Sequence, residues 1–221
     1  MLLVSTLSAT NISVTAPRPY HHANLRKTLL DAAVALIGEV GLQAFTLREV
    51  ARRAGVSHNA PYRHFPSKDD LLLAVAAEGF ERLTALMEKT LSAGTSPLER
   101  LELCGCGYVD FGLRWPNHLL VMFERPAAYR EPGQKEEMAI GDNAFAVLLN
   151  CITAAQQSGD LRAGDPLRLA WTAWALVHGI AKLAISGGLP LDAPSTIDFT
   201  HSAARTMFGG MTIEQAGSAN R

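Results

Sequence analysis

The chain is poor in cysteine, which limits the ways in which it can be held together. Only three cysteines occur among 221 residues, Cys104, Cys106 and Cys151. They are too few and too unevenly spaced for a disulfide framework, which suits a reducing cytoplasm. Cys104 and Cys106 point to different faces of a helical pattern, and no nearby side chains complete a zinc site. We interpret all three as small core-filling thiols, with a redox-sensing thiol as the alternative.

Long apolar runs and enzyme motifs are also missing. No stretch approaches the roughly 18 uninterrupted apolar residues that a membrane span needs. Residues 1–19 lack the basic segment and compact apolar block of a signal peptide, so we expect a flexible tail or a start codon placed too far upstream. A small helical enzyme is disfavoured because there is no nucleophile elbow, HExxH motif, phosphate-binding glycine loop or clustered carboxylate pair. No cofactor and no metal site are predicted.

Charge is present but unevenly distributed. The formal net charge is −1. Residues 18–68 carry eight Lys or Arg against three acidic residues, a balance of +5, whereas residues 69–221 carry twelve against eighteen, a balance of −6. A basic head on an acidic body indicates that one end of the chain contacts a polyanion.

The apolar residues, 48% of the chain, recur with helical rather than strand periodicity. The pattern predicts an all-α protein of about nine helices, with three in a small head, one connecting helix and five in a larger body. The expected helices are at about 24–39, 46–54, 57–65, 67–91, 96–115, 116–124, 134–157, 165–186 and 195–208. The expected segments are a tail at 1–19, the head at 20–67, the body at 68–212 and a second tail at 213–221.

Residues 46–65, TLREVARRAGVSHNAPYRHF, have the pattern of a helix-turn-helix. Thr46 is a good N-cap, with Glu49 at the third position of a capping box. Gly55 stands where the turn between the two helices needs a positive φ. The second helix is short and polar, with side chains able to reach base edges and phosphates. The alternative is an ordinary αα-hairpin, which the basic charge of the segment disfavours.

Two segments, YHHANLRKTLLDAA at 20–33 and TLREVARRAGVSHNAPYRHFPSKDDLL at 46–72, resemble the N-terminal DNA-binding domain of TetR-family transcriptional regulators. The resemblance implies that Thr46, Tyr62, His64 and Lys68 contact phosphates and that Arg48 reaches a phosphate or a base. It implies that His58 and Asn59 read base edges. The full set of expected DNA contacts is Thr46, Arg48, Ser57, His58, Asn59, Ala60, Tyr62, Arg63, His64 and Lys68.

Two positions depart from the commonest pattern of that family. Asn59 stands where glycine is frequent, and Pro61 stands where an apolar residue such as leucine is usual. We expect Pro61 to remove one early hydrogen bond from the second helix, a loss that a first helical turn tolerates. The operator sequence therefore does not follow from the resemblance.

The resemblance also implies a homodimer on a palindromic operator, paired through the last two helices. The helix at 165–186 is rich in small residues that permit close helix packing, which equally suits a buried helix within one subunit. These small residues are Ala170, Ala173, Ala175, Gly179, Ala181 and Ala184. The spacing Trp174-x-x-x-His178-Gly179 resembles the WHG-type C-terminal domain of some family members.

An effector cavity is expected among the aromatic side chains of the body. The candidates are Tyr108, Phe111, Phe123, Trp171, Trp174 and His178. Each aromatic residue suits an ordinary core equally well, and His178 fits a core histidine or, less well, a metal ligand. The absence of a charged pocket pattern favours an apolar or aromatic effector. We therefore expect a cytoplasmic repressor that an effector releases from DNA, with a constitutive DNA-binding regulator as the alternative.

Overall fold

The computed structural model describes residues 22–124 and 135–209, with side chains described for 25–124 and 143–209. Over these residues the chain forms eight α-helices and one 3-10 turn, and no strand. The elements are α1 (His22–Ala44), α2 (Leu47–Arg53), the 3-10 turn (Pro61–Arg63), α3 (Lys68–Leu91), α4 (Pro97–Arg114), α5 (Pro116–Glu124), α6 (Lys135–Gln157), α7 (Pro166–Ile185) and α8 (Ala193–Gly209). The all-α prediction is confirmed. The two expected tails lie outside the described residues.

Helix starts are fixed by side-chain caps, as the sequence predicts. Thr46 Oγ1 accepts a hydrogen bond from the backbone N–H of Glu49 at 3.2 Å. Ser67 and Asp70 form a complete capping box at the start of α3. The capping box expected at Thr46 is incomplete, because the Glu49 carboxylate accepts hydrogen bonds from Arg52 instead. Thr46, Ser67 and Asp70 each accept a hydrogen bond from a backbone N–H group that has no partner within its helix.

Glycines with positive φ delimit the two helices of the head. Gly55, directly after α2, has φ of 69°, as the turn of a helix-turn-helix requires. Gly41 has φ of 81° and interrupts the helical geometry of α1, so the expected end of that helix near residue 39 is close to the break. A side chain at either position is strained by the backbone alone.

The helix expected at 57–65 is absent, and that prediction is wrong. The segment contains only the 3-10 turn Pro61–Arg63. Pro61 has no N–H, so the carbonyl of Ser57 accepts a hydrogen bond from Ala60 at 2.9 Å, and the α-helical bond from position 61 is not made. The backbone N–H groups of both His64 and Phe65 then bond to the Pro61 carbonyl, each at 2.9 Å. The proline thus alters the whole element rather than one hydrogen bond.

The body is built around α4, which contacts α3, α6, α7 and α8. Its buried face includes Leu101, Tyr108 and Phe111, all at most 2% exposed. The connecting helix α3 contacts both α1 of the head and α4 of the body, so one continuous helix joins the two parts. The domain boundary expected between residues 67 and 68 stays a prediction.

Candidate DNA-binding surface and effector cavity

The expected DNA contacts lie together on one part of the head. They come from the start of α2, the loop after it, the 3-10 turn and the first residue of α3. Seven of the side chains are exposed: Thr46, Arg48, Ser57, His58, Asn59, Tyr62 and Arg63. Ala60, His64 and Lys68 are half-buried. The arrangement presents a polar, basic surface, while the DNA-contact role of each residue stays a prediction.

An exposed aromatic ring, that of Tyr62, belongs to this surface. Tyr62 is 51% exposed, whereas its neighbours Pro61 and Phe65 are buried. Phe65 belongs to the hydrophobic core, and the guanidinium of Arg26 lies 5.2 Å from the centre of its ring. The buried pair therefore anchors the turn from below and leaves the phenol of Tyr62 directed outward, where it can donate a hydrogen bond to a phosphate.

The cations of the head divide into two classes. Arg52 and Arg53 form ion pairs with Glu49 and Glu39, and the hydrogen bonds from these guanidiniums lower the pKa of both carboxyls. Arg48 and Arg63 are exposed and form no ion pair within residues 25–124 and 143–209. Part of the +5 balance of the head is thus neutralised internally, a pairing that the charge count alone does not reveal.

Lys68 is held in place at the start of α3. Its Nζ donates a hydrogen bond to the carbonyl of Gln43 at 3.0 Å and lies 4.3 Å from the centre of the Phe45 ring. Partial burial lowers the pKa of this ammonium. An ammonium has three donors, so two remain for a phosphate. The expected phosphate contact is compatible with this position.

In the body, four of the six expected effector residues form one aromatic cluster. Tyr108 of α4 bonds through its hydroxyl to His178 Nδ1 of α7 at 2.8 Å. The Tyr108 ring packs edge-on against Trp174 at 5.2 Å, and Phe123 of α5 packs edge-on against His178 at 4.7 Å. The structure therefore brings Tyr108, Phe123, Trp174 and His178 together.

The other two expected effector residues lie elsewhere. Phe111 is fully buried and packs against Trp115 at 5.6 Å, which is the core alternative. Trp171 is 58% exposed and stacks on Phe145 at 4.5 Å. Phe145 also contacts Trp174 at 5.6 Å and so extends the cluster. Of the six expected effector residues, Tyr108 and Trp174 line the cavity described next, and Phe111, Phe123, Trp171 and His178 do not.

A small apolar cavity adjoins the cluster. Its volume is about 20 Å³, room for about one water molecule. Tyr108 and Trp174 line it, and the remaining walls are apolar or sulfur-bearing. These are Met87, Leu101, Cys104, Gly105, Leu148, Ala173, Leu176, Val177, Ala204, Met207 and Phe208. Helical periodicity does not separate such residues from ordinary core, so sequence reasoning missed them.

The cysteines are free and mostly buried. Cys104 and Cys106 are buried, and Cys151 is half-buried. Burial raises the pKa of the Cys106 thiol to about 11, a value at which little reactive thiolate forms. Cys104 and Cys106 thus pack as the core interpretation predicts, and redox sensing has no support from their exposure.

The helix α7 has two different faces. Ala170, Ala173 and Ala181 are buried within the subunit. The large residues Leu167, Trp171 and Leu183 are exposed on the same helix, and Phe199 is exposed on α8. A shallow groove of about 530 Å³ lies between the two helices. The core interpretation therefore holds for Ala170, Ala173 and Ala181, while pairing through the exposed face stays a prediction.

The head meets the body where α1 packs on α5. Asn117 Nδ2 donates a hydrogen bond to the carbonyl of Val34 at 3.1 Å. A Cβ atom at Gly38 would lie only 2.4 Å from Asn117 Nδ2, so glycine permits this approach. Nearby, the buried His118 has its Nε2 3.8 Å from Glu78 Oε2.

Comparison with known proteins matches both parts of the chain to one family. Residues 29–75 match the model of bacterial regulatory proteins of the tetR family. Residues 101–207, which include the Trp174–Gly179 segment, match a Tetracyclin repressor-like C-terminal domain. The TetR resemblance of the sequence is confirmed.

Among curated relatives, the HTH-type transcriptional repressor KstR of Mycolicibacterium smegmatis is 37% identical over 101 residues, 46% of this chain and 47% of that protein. KstR of Rhodococcus jostii is 42% identical over 78 residues, 35% of this chain and 36% of that protein. The chain therefore matches half or less of the length of these relatives.

Two solved structures illustrate the similarity over the whole fold. A protein of unknown function from Rhodococcus sp. RHA1 is 33% identical, with a TM-score of 0.75 over 89% of this chain and 100% of that one. FadR from Bacillus subtilis in complex with stearoyl-CoA is 19% identical, with a TM-score of 0.71 over 84% of this chain and 98% of that one. At such low identity, the second similarity concerns the fold alone.

Proposed function

The chain belongs to the TetR family of bacterial regulatory proteins, and we propose that it is a homodimeric repressor that an apolar small molecule releases from its operator. The observation that carries the proposal is the exposed basic surface of the head, joined by α3 to a body with an aromatic cluster and a cavity. Acting on chromosomal DNA, the protein works in the cytoplasm.

Operator binding uses the surface around the 3-10 turn. Arg48 and Arg63, which are not engaged in ion pairs within the described part of the chain, bind phosphates or bases. Tyr62, His64 and Lys68 fix the register on the phosphate backbone, and His58 and Asn59 carry the base preference. Thr46, Ser57 and Ala60 complete the contact surface.

Pairing uses the exposed faces of α7 and α8. Trp171 and Phe199 are 58% and 43% exposed, a large apolar area for a monomer to leave in water. Two copies joined there place two heads on successive half-sites of a palindromic operator. Dimerisation thereby doubles the number of DNA contacts without enlarging the head.

Effector release follows from the small size of the cavity. A volume of about 20 Å³ does not hold an effector, so binding must displace the surrounding side chains. Phe123 lies toward the end of α5, and Asn117 near its start bonds to Val34 of the head. A ligand that displaces Phe123 thus moves the same short helix that contacts α1. The two heads then lose the spacing that suits adjacent major grooves.

The class of effector is lipid-like. The cavity walls are apolar, which disfavours a highly charged ligand. Structural relatives include FadR bound to stearoyl-CoA, AibR bound to isovaleryl coenzyme A and operator DNA, and the ketosteroid regulator KstR2 of Mycobacterium tuberculosis. The ligands of FadR and AibR share an acyl portion, and KstR2 is a regulator named for ketosteroids; we assign an apolar portion of this kind to the aromatic cluster of this protein.

One experiment tests both halves of the proposal. In-vitro selection of bound DNA first identifies the operator, and fluorescence anisotropy then follows its release by acyl chains, acyl-CoA esters and steroids. We expect a palindromic operator and a loss of affinity of at least 10-fold with an effective ligand. A constitutive regulator, the alternative, predicts operator binding that no such ligand changes. Failure to select any palindrome would refute the DNA-binding half.

A further inference from the structure

The hydrogen-bonded pair of Tyr108 and His178 introduces polar atoms beside an otherwise apolar cavity. The Tyr108 ring lines the cavity, and its hydroxyl lies 2.8 Å from His178 Nδ1. Tyr108 is 1% exposed, while His178 is half-buried between Phe123 and Tyr108. The other side chains that line the cavity are apolar, aromatic or sulfur-bearing. A ligand entering the cluster therefore meets one distinct polar feature.

Both partners are neutral, and this fixes what they offer to a ligand. Burial raises the pKa of Tyr108 far above its usual value, so the phenol keeps its proton. Burial, and secondly the charge of Lys182, lower the pKa of His178, so the imidazole is neutral at physiological pH. The pair then holds two exchangeable protons, of which one lies in the mutual hydrogen bond.

The second proton remains available in either arrangement of the pair. If the phenol donates to Nδ1, the free proton is on His178 Nε2 and the phenol oxygen keeps acceptor capacity. If Nδ1 donates to the phenol oxygen, the free proton is on the Tyr108 hydroxyl and Nε2 is an acceptor. Each arrangement leaves one donor and at least one acceptor, which matches an alcohol or a ketone.

A carboxylate does not match this pair. Burying an ionised group costs much more than burying a neutral one unless a cation compensates for it. The nearby ammonium of Lys182 is already paired with Glu124. A plain hydrocarbon is disfavoured in another way, because it would cover the remaining donor without satisfying it.

We propose that Tyr108 and His178 together bind a neutral oxygen, a hydroxyl or a ketone, on an otherwise apolar effector. The inference rests on the proposed function, since it assumes that the effector enters the aromatic cluster. Phe123 and Trp174 pack on the pair and form the apolar surroundings of the oxygen. The pair thereby sets which apolar molecules are recognised.

A matched ligand series tests the proposal on the full-length protein. The ligands are 2-dodecanone, 1-dodecanol, dodecanoate and dodecane, and the intrinsic fluorescence of the three tryptophans, of which Trp174 lies in the cluster, reports binding at pH 7.5. We expect the ketone and the alcohol to bind about 3- to 10-fold more tightly than dodecane, the worth of one neutral hydrogen bond. Dodecanoate should bind more weakly than the alcohol. Equal affinities, tighter binding of dodecanoate, or no binding of any member would overturn the proposal.

Substitutions of both partners locate the effect at the pair. Tyr108→Phe and His178→Leu each leave the other partner as a donor, so each should weaken the preference for ketone and alcohol over dodecane, and the double variant should reduce it to about onefold. His178→Gln offers amide N–H donors and a carbonyl acceptor, and should retain the preference to within about threefold. A preference that persists in the double variant contradicts the assignment.

Operator anisotropy in the same samples separates this inference from the proposed function. If the ligands bind with the expected preference but leave operator affinity unchanged, effector-controlled release is refuted and the oxygen site stands. If operator release occurs with every ligand equally, the release mechanism stands and the oxygen site is refuted.

Discussion

Asn117 of α5 and Val34 of α1 are joined by a side-chain to backbone hydrogen bond of 3.1 Å, which ties the body to the head. The carbonyl of Val34 lies one helical turn before Gly38, and Gly38 faces the same amide. This contact connects the helix that carries Phe123 with the helix that supports the DNA-binding surface. Its packing leads to a specific expectation about substitutions on both sides.

Gly38→Ala and Asn117→Ala should interact strongly. Alone, Gly38→Ala brings a Cβ to 2.4 Å from Asn117 Nδ2, so the amide must move away from the Val34 carbonyl, and the lost hydrogen bond should destabilise the protein by up to about 1 kcal/mol. In an Asn117→Ala background the space is free, and replacing a helical glycine should instead stabilise by up to about 1 kcal/mol. Urea unfolding of the four proteins measures this reversal. Additive effects would show that the contact is not formed in solution.

The same contact should carry the response to an effector. Asn117→Ala should keep operator affinity without ligand within about threefold but reduce the ligand-induced loss of affinity, since a coupling of 1–3 kcal/mol amounts to about 5- to 150-fold. Anisotropy titrations with and without a bound ligand measure the change. Arg114→Ala, which removes an exposed ion pair with Asp110 on the neighbouring helix α4, is the control and should leave the coupling intact. If the ligand-induced loss of operator affinity is unchanged in Asn117→Ala, the effect of the ligand reaches the head through α3 and not through this contact.

Phosphate contacts should be visible in the salt dependence of DNA binding. Arg63→Ala and Arg48→Ala should each reduce the slope of log affinity against log salt by about 1, because each unpaired guanidinium displaces one counterion. Arg52→Ala is the matched control. Arg52 is already paired with Glu49, so its removal should change the salt slope less than removal of Arg48 or Arg63. Identical salt slopes for Arg63→Ala and the unmodified protein would show that Arg63 does not contact a DNA phosphate.

Local sequence patterns predicted the helix boundaries well. Contacts between residues far apart in the sequence, which decide what is buried, could not be predicted in this way. Thr46, Gly55 and Ser67 act through contacts within a few residues, so their roles follow from position alone. Trp171 and Trp174 are three residues apart on α7, yet one is mostly exposed and the other lines the cavity. Periodicity gives both residues an apolar face but does not say whether a partner subunit or the core covers it.

The recognition element shows a second limit. A proline in a first helical turn usually costs little, so the sequence predicted a helix over 57–65. Here the carbonyls of Ser57, Ala60 and Pro61 each accept a hydrogen bond from the residue three positions later, and a single α-helical bond, from Phe65 to Pro61, follows at the end of the segment. A helix tolerates one missing N–H donor only if no other turn is more stable at that place. Here Pro61 and Phe65 are both buried, and their packing stabilises the 3-10 turn instead of the α-helix.

This element should respond to restoring the missing donor. Pro61→Leu returns an N–H that can bond to the Ser57 carbonyl and should extend helical structure through the turn. We expect in-vitro selection to yield an operator consensus different from that of the unmodified protein, because the side chains of His58 and Asn59 are re-aimed. Asn59→Gly is the companion variant, which changes one side chain without restoring the bond. An unchanged consensus in Pro61→Leu would show that the turn already adopts a helical form on DNA.

Acid should weaken the junction between head and body through His118. Its ring is buried beside Glu78, Arg82 and Lys27, and neither ring nitrogen has a hydrogen-bond partner in the described part of the chain. Burial, and then the charge of Arg82, lower the pKa of His118 in the folded protein below the value of about 6.5 expected when unfolded. The unfolded chain therefore binds more protons, and stability is lost as the pH falls below about 6.5. Thermal unfolding of His118→Leu at pH 7.5 and 5.5 should show a smaller loss than the unmodified protein, and an equal loss would assign the acid sensitivity to other groups such as His178.

Pairing through α7 and α8 predicts a selective effect of charge on the exposed apolar residues. Phe199→Arg places a cation on the groove between these helices and should shift the protein from dimer to monomer, because a buried unpaired charge is costly at an interface. Val40→Arg changes a side chain of similar exposure, 47% against 43%, but in the head, and should leave the dimer intact. Sedimentation velocity distinguishes the two states. Operator affinity should fall together with dimerisation in Phe199→Arg, since a monomer engages one half-site, and a monomer that keeps full affinity would contradict the palindromic mode of binding.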